Sequence, residues 1–237
     1  LARAKELGND GKLHANPAGE VRLVSLSEKL LVPLLAKLGN VVPGGGIWLN
    51  TQRPEWNDAN NALAGWGLSM VTVAYLRRYL VFLNRIFAES GDSVVISSAV
   101  VTFARELAVC LAKSDCPDDA ARFEILAALG RAGEHHRQAV YAGEFGERTQ
   151  VSVAEVREWL ASALQAVDAT LRGNRREDGM FHSYNLLKLD GKKASVSHLY
   201  LMLEGQVAVL SSGLLEPAEA LALLRTMRHS SLFRADQ

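Results

Sequence analysis

The chain has 237 residues, of which 49% are hydrophobic and 22% are charged, a composition typical of a folded globular protein. Its 26 lysines and arginines balance its 26 aspartates and glutamates, which argues against nucleic acid or an anionic membrane as a partner. No run of about 18 apolar residues occurs, so we expect no segment to span a bilayer. Cys110 and Cys116 lack the paired spacing of a zinc site or disulfide framework, and reduced thiols favour a cytoplasmic location.

Seven helices are predicted from hydrophobic periodicity and from signals at the helix ends. The first follows the capping-box pair Ser25 and Glu28 and ends near Gly39. The second is apolar nearly all round, which predicts burial on most sides. The fourth has a potential break at Gly130. The next five are expected at about residues 69–89, 97–113, 117–142, 152–171 and 199–212, and the seventh begins at Pro217.

The predicted fold class is all-α, with helical hairpins that form part of an (α/α)6 toroid. Helices that are apolar all round alternate with amphipathic ones, as a double ring of hairpins requires, although a plain helical bundle explains the periodicity equally well. Six hairpins need twelve helices. We therefore expect residues 1–237 to be a single helical domain cut from a larger catalytic domain, with the remainder of its own polypeptide as a partner.

Two predicted connections are much longer than the usual 2 to about 8 residues between helices, and long ordered loops often carry function. They span residues 39–68 and 173–198. Within the second, Asp190 and Gly191 are typical of the turn of a short β-hairpin. If inner and outer helices alternate, both loops should emerge on the same rim of the array.

The first long loop is rich in side chains that bind sugars. Aromatic faces stack on sugar rings, while amides and carboxylates bond to neighbouring hydroxyls. Alternatively, the amides cap the next helix and the tryptophans pack in the core. A run of proline and three glycines at 43–46 lacks the Lys-Ser/Thr of a phosphate-binding loop and is interpreted as flexible turn material. The candidate ligand-binding residues are Arg53, Glu55, Trp56, Asn57, Asp58 and Asn61.

The segment Trp56-Asn57-Asp58 followed by Asn61 resembles the G-D-W-N-D-G-M-N stretch of cellobiose phosphorylase and related inverting glycoside phosphorylases. Their catalytic domain is an (α/α)6 barrel, and the resemblance implies that Asp58 is the general acid. The family has aspartate where this chain has Glu55 and glycine where it has Ala59. The likeness covers about eight of the 237 residues.

The second long loop and the helix after it supply further candidates. Glu204 interrupts an apolar helix, where an ionised carboxylate needs either a partner such as an arginine or a role in a cavity. We take Glu204 as the second catalytic carboxylate. Part of the Arg-Arg-Glu-Asp run at 175–178 is expected to be a solvated turn with internal salt bridges. The substrate-binding candidates are Arg176, His182, Tyr184, His198 and Gln206.

These patterns predict an enzyme that cleaves a glycosidic bond by an inverting mechanism, by hydrolysis or phosphorolysis, with a small oligosaccharide or glycoside as ligand. No metal or cofactor is expected, and inorganic phosphate would be a co-substrate of a phosphorylase. The alternative is a non-catalytic carbohydrate-binding or scaffold module. A terpenoid-cyclase-like toroid would need an aspartate-rich metal motif, and Asp118-Asp119 does not continue into one.

Overall fold

The structure of the protein is a computed structural model that describes Lys5 and residues 21–49, 65–114 and 118–236. Several residues named above lie outside the described residues, so the acid assigned to Asp58 stays a prediction. They are Arg53, Glu55, Trp56, Asn57, Asp58, Asn61 and Cys116.

All seven predicted helices are present among the described residues. Four of them begin at a serine or aspartate whose side chain accepts a hydrogen bond from a backbone N–H group of the first turn, as Ser25 and Ser152 do. The fourth helix continues through Gly130, where a break was expected. The helices are α1 (Leu26–Leu38), α2 (Met70–Ala88), α3 (Ser98–Leu111), α4 (Asp119–Ala142), α5 (Val153–Gly173), α6 (Leu203–Ser212) and α7 (Pro217–Arg228).

The all-α prediction, and with it the partial (α/α)6 toroid, is wrong because seven strands accompany the helices in the part of the chain that the structure describes. Five form an antiparallel sheet in the order β1-β2-β3-β6-β7, and β4 pairs with β5 in a separate two-stranded sheet. The strands are β1 (Val41–Val42), β2 (Gly46–Trp48), β3 (Gly67–Ser69), β4 (Ser93–Ser97), β5 (Arg148–Ser152), β6 (Tyr184–Asp190) and β7 (Lys193–His198).

The predicted hairpin is confirmed. Strands β6 and β7 pair antiparallel from Asn185 and His198 to Asp190 and Lys193. Gly191 lies in the turn with a φ of 56°, a left-handed conformation that glycine adopts without steric cost.

Successive side chains of a strand point to opposite faces of the sheet, and here each face meets a different layer. One face carries Val42, Leu68, Leu187 and Ala194 into a small apolar cluster, where β7 contacts α4. The other carries Val41 and Ile47 into the main helical core. The sheet is therefore covered on both sides.

The main core lies between the helices. Helix α2 packs against α5 and α6, and α3 packs against α4 and α5. Helix α2 is less buried than its sequence predicts, because Tyr75, Val81 and Phe82 on its outer side are exposed. Arg77 of the same helix donates from Nε to Asp168 Oδ1 of α5 at 2.7 Å and from Nη1 to the carbonyl of Ser212 in α6 at 2.9 Å. In the described part of the chain, no helix combines the length and apolarity that crossing a bilayer requires.

Candidate functional site

The candidate site lies where β6 begins and β7 ends. His198, the last residue of β7, is the cross-strand partner of Asn185, and directly opposed residues of a pair lie on the same face of the sheet. This is the face that meets α4. His198 is exposed, whereas Asn185 is completely buried. The site therefore runs from the interior of the protein to its surface.

The side-chain amides of Asn174 and Asn185, called the amide chain below, are hydrogen-bonded to each other. They link His198 to the 44–45 turn and to the end of α5. Asn174, which caps the end of α5, donates from Nδ2 to the carbonyls of Gly44 at 2.8 Å and Thr170 at 2.9 Å. Asn185 donates from Nδ2 to Asn174 Oδ1 and to the Gly45 carbonyl, both at 2.7 Å. Asn185 Oδ1 lies 2.8 Å from His198 Nδ1. Buried amides of this kind are stable only when their donors and acceptors are paired, as these are.

The ring of His182 stacks on that of His198, with ring centroids 3.9 Å apart and planes inclined by 8°. Burial, together with the nearby His198 and Arg176, lowers the pKa of His182 to about 4. Burial and Arg176 also lower the pKa of His198. His182 Nδ1 is buried without a hydrogen-bond partner among the described residues, so a proton added there would have no acceptor. These shifts disfavour the protonated form of both rings.

Arg176 is the cation whose charge lowers the pKa of both histidines. It forms an ion pair with Asp178. Its Nη2 donates to Asp178 Oδ2 at 2.9 Å and its Nε approaches both carboxylate oxygens. Hydrogen bonds from Arg176 lower the pKa of Asp178. This pair confirms the internal salt bridge expected for the 175–178 turn. The turn also lines a groove of about 600 Å³ against Arg225 and His229.

The glycine run at 43–46 is a tight hairpin turn rather than flexible material. Besides the two carbonyl contacts with Asn174 and Asn185, Gly44 N donates to Thr170 Oγ1 at 3.2 Å. A Cβ added to Gly45 would lie 2.7 Å from Leu68 Cδ1 and 3.0 Å from Val196 Cγ2. Only glycine therefore lets this turn approach the sheet closely enough for its carbonyls to reach the two amides.

Tyr184 and Glu204 form a second polar pair at the same end of β6. The Tyr184 hydroxyl donates to Glu204 Oε2 at 2.7 Å. Glu204 is an exposed residue in the first turn of α6, not a carboxylate on a buried helix that needs an arginine. Since Tyr184 directly precedes Asn185 in the strand, the two point to opposite faces. The structure thus divides the predicted second half of the site into a histidine cluster and a tyrosine-carboxylate pair.

Gln206 has a structural role. It is completely buried, and its Nε2 donates to the carbonyls of Phe181 at 2.7 Å and Met202 at 2.9 Å. Its Oε1 accepts from the Phe181 amide at 2.9 Å. Both amide protons are used by the backbone, so Gln206 has none left to donate to a substrate.

Sequence reasoning missed Asn174, which holds the amide chain together. Its position at the end of an amphipathic helix is typical of a C-terminal cap, and nothing local indicates a partner in a different loop. Asn185 belongs to the dense polar stretch at 175–185, but its sequence position does not distinguish it from its neighbours. The sequence of its strand, YNLLKLD, contains no local signal that singles it out.

No family model matches this chain, and no curated protein sequence matches it. Among the described residues, no group of three or more histidines, cysteines, aspartates or glutamates is arranged to hold a metal ion.

Proposed function

We propose that this chain belongs to a carbohydrate-active enzyme that cleaves a glycosidic bond by an inverting mechanism, and that the histidine cluster binds its sugar. The cluster consists of His182, His198, Asn185 and Asn174. The observation that carries the proposal is the stacked, uncharged pair of imidazoles at the surface end of a buried hydrogen-bond chain. Hydrolysis and phosphorolysis are both compatible with it.

An uncharged imidazole suits a sugar because a ring nitrogen that the protein leaves free can form a hydrogen bond with a hydroxyl group, which both donates and accepts. Stacking keeps both rings in one orientation, and a ligand then meets a preformed surface. A preformed site loses less conformational entropy on binding than two mobile side chains would. These features support recognition of a polyhydroxylated ligand.

Glu204 is the second carboxylate of the proposal. Its Oε2 is occupied by the Tyr184 hydroxyl, whereas no described residue donates a hydrogen bond to Oε1. In an inverting hydrolase such a group would hold the attacking water, and its carboxyl group would lie about 6.5 to 9.5 Å from that of the acid. In a phosphorolytic enzyme inorganic phosphate replaces that water, and Asp58 alone would act as the acid.

Turnover of di- and oligosaccharides by the complete protein, with and without inorganic phosphate, tests the proposal. We expect Asp58→Asn to lower turnover by about two to four orders of magnitude, the usual contribution of a general acid, while sugar binding is retained. Asp92→Asn is the matched control, because Asp92 is exposed. Undiminished turnover in Asp58→Asn removes Asp58 from the mechanism. Binding without any turnover would support the non-catalytic module instead.

A further inference from the structure

The amide chain fixes more than the position of His198. Asn174 Nδ2 faces two backbone carbonyls, those of Gly44 and Thr170. A carbonyl oxygen only accepts hydrogen bonds, so the NH2 group of Asn174 must be on that side and Oδ1 on the other. The same reasoning applies to Asn185, whose Nδ2 faces the Gly45 carbonyl and Asn174 Oδ1.

The orientation of Asn185 in turn determines which imidazole nitrogen of His198 carries the proton. Its Oδ1 is an acceptor and lies 2.8 Å from His198 Nδ1, so Nδ1 must be the donor. In the uncharged ring the other nitrogen, Nε2, then carries a lone pair. Nε2 has no hydrogen-bond partner among the described residues.

We propose that Asn185, held in place by Asn174, is a positioning residue that fixes His198 in its Nδ1–H form, so that Nε2 accepts a hydrogen bond from a hydroxyl group of an uncharged ligand. This inference names the ligand chemistry of the histidine cluster and, for the identity of that ligand as a sugar, rests on the proposed function. A neutral histidine side chain in water favours the Nε2–H form. The Nδ1–H form of His198 must therefore be selected by its surroundings in the protein.

The surrounding charges also favour an uncharged ligand. Arg176 and Asp178 form an ion pair, so the arginine is compensated close to the rings. Burial disfavours protonation of both imidazoles, which lowers the pKa of each. A phosphate or carboxylate oxygen would therefore face the lone pair of Nε2 rather than an N–H donor. An uncharged hydroxyl supplies the proton that Nε2 can accept.

The supporting turn is built to hold this arrangement. The two carbonyls that orient the amides belong to Gly44 and Gly45, and Gly45 packs against Leu68 and Val196 with no space for a side chain. The Gly44 amide is itself held by Thr170 Oγ1. A displacement of the turn would free Asn185 to rotate, and the proton position on His198 would no longer be specified.

Two-bond 1H–15N correlation spectra of the imidazole nitrogens in the protein test the positioning role without any ligand. We expect His198 at pH 7.5 to show a protonated Nδ1 and an unprotonated Nε2. Asn185→Ala and Asn185→Asp both remove the two amide donors, and the aspartate also places a carboxylate oxygen opposite two acceptors, the Gly45 carbonyl and Asn174 Oδ1. Circular dichroism therefore first checks that each variant is folded. Only the aspartate retains an acceptor for Nδ1. We expect the alanine variant to shift towards the Nε2–H form and the aspartate variant to keep Nδ1–H.

An Nε2–H tautomer in the wild-type protein, or an unchanged tautomer in folded Asn185→Ala, overturns the positioning role. The ligand is tested separately by titrating a panel of neutral disaccharides, beginning with cellobiose, and then inorganic phosphate. We expect a disaccharide to shift the His198 Nε2 resonance and to bind about threefold to tenfold more weakly to Asn185→Ala, the effect of one neutral hydrogen bond. A response to phosphate alone, or no response to any sugar, overturns the ligand assignment and leaves the tautomer result standing.

Discussion

Two buried polar networks in this protein differ in where they end. The first joins α2, α5 and α6 through Arg77, Asp168 and the Ser212 carbonyl. The second, the amide chain, runs from the 44–45 turn through Asn174 and Asn185 to His198. The first uses charge, and each of its groups is paired within the protein, although the Asp168 side chain is partly exposed. The second uses only uncharged groups and reaches an exposed ring.

The difference indicates how buried polar groups divide between structure and function. A closed network gains all its stabilisation from the groups within it, so breaking it should mainly lower stability. An open network leaves one polar atom without a protein partner. That atom makes no hydrogen bond that stabilises the folded state, so it can bind a ligand. The predictions below separate the two networks on this basis.

The largest loss of stability is expected from the closed network. Arg77→Met leaves the Asp168 carboxylate, whose side chain is 31% exposed, without its cation. Breaking a buried ion pair costs about 3 to 5 kcal/mol, and partial exposure reduces this to about 2 to 4 kcal/mol. Urea unfolding measures this loss as a change in the free energy of unfolding. Arg85→Met on the same helix is the control, since Arg85 is exposed. Equal effects of both changes would show that the pair has no special role.

The second largest loss of stability is expected from Asn174→Ala, at the buried end of the open network. The change leaves the carbonyls of Gly44 and Thr170 and one donor of Asn185 without partners, at about 1 to 3 kcal/mol in total. Unlike Arg77→Met, it should also disturb the His198 imidazole resonances. Asn84→Ala serves as control, because Asn84 makes one exposed contact with Arg157. A stability loss with unchanged His198 resonances would contradict the coupling.

The pH dependence of stability is a third, smaller effect. The pKa of His182 falls from its ordinary value of 6.5 to about 4 on folding, so the unfolded chain binds more protons between these values. Stability should therefore decrease as the pH falls from about 6.5 towards about 4. The contribution of His182 to this slope should stay below about 1.4 kcal/mol per pH unit, the limit for one proton.

Other groups facing the stack affect this profile. Arg176 disfavours the protonation of both His182 and His198, whereas Asp178 favours that of His182. Urea unfolding of His182→Gln between pH 4 and 7 should show a reduced slope, while His135→Gln, at an exposed site on α4, should resemble the wild type. Parallel profiles for all three proteins would show that His182 is not buried in its neutral form.

The smallest effect on stability is expected at the exposed end. His198→Ala removes one hydrogen bond and one stacked ring, and we expect a change of about 1 kcal/mol or less in the free energy of unfolding. Sugar binding should nevertheless be lost, as measured by calorimetric titration. A large destabilisation would place His198 with the structural network instead.

The helices were predictable because their signals are local, although one signal was misleading in detail. Ser25 caps α1 as expected, accepting from the Glu28 amide at 3.1 Å. The Glu28 side chain does not complete the capping box. It accepts instead from the amide and hydroxyl of Ser97, both at 2.8 Å. The capping-box pattern therefore predicted the start of the helix correctly. The hydrogen-bond partner of the Glu28 carboxylate, Ser97, depends on the tertiary fold.

The strands escaped prediction for two physical reasons. Strands β1, β2 and β3 have two or three residues each, too few to show alternation. Strands β4 and β5 end at Ser97 and Ser152, which also precede helices, so the sequence there indicates a helix start. Only the β6–β7 hairpin has both the length and the turn residues that make a strand pair visible in sequence.

The candidate site was predictable in part. His182, His198 and Arg176 do lie together, as their density in one loop suggested, and Tyr184 meets Glu204. What sequence could not supply is the division of these residues between two faces of a sheet, because that sheet was not predicted. Asn174 and Asn185 are only 11 residues apart. The carbonyls of Gly44 and Gly45 that orient them come from 130 and 140 residues away and meet them only in the fold.

The order of strands in the main sheet also has a consequence for folding. Pairing Gly67 with Leu186 closes a loop of roughly 120 residues, and closing long loops is slow because chain entropy is lost before contacts form. Helices α2 to α5 lie entirely within that loop and can form from local contacts first. The Gly45 carbonyl reaches Asn185 only after the loop has closed. In a refolding experiment, the side-chain NH2 resonances of Asn185 should therefore report the last step, after helical circular dichroism has largely recovered.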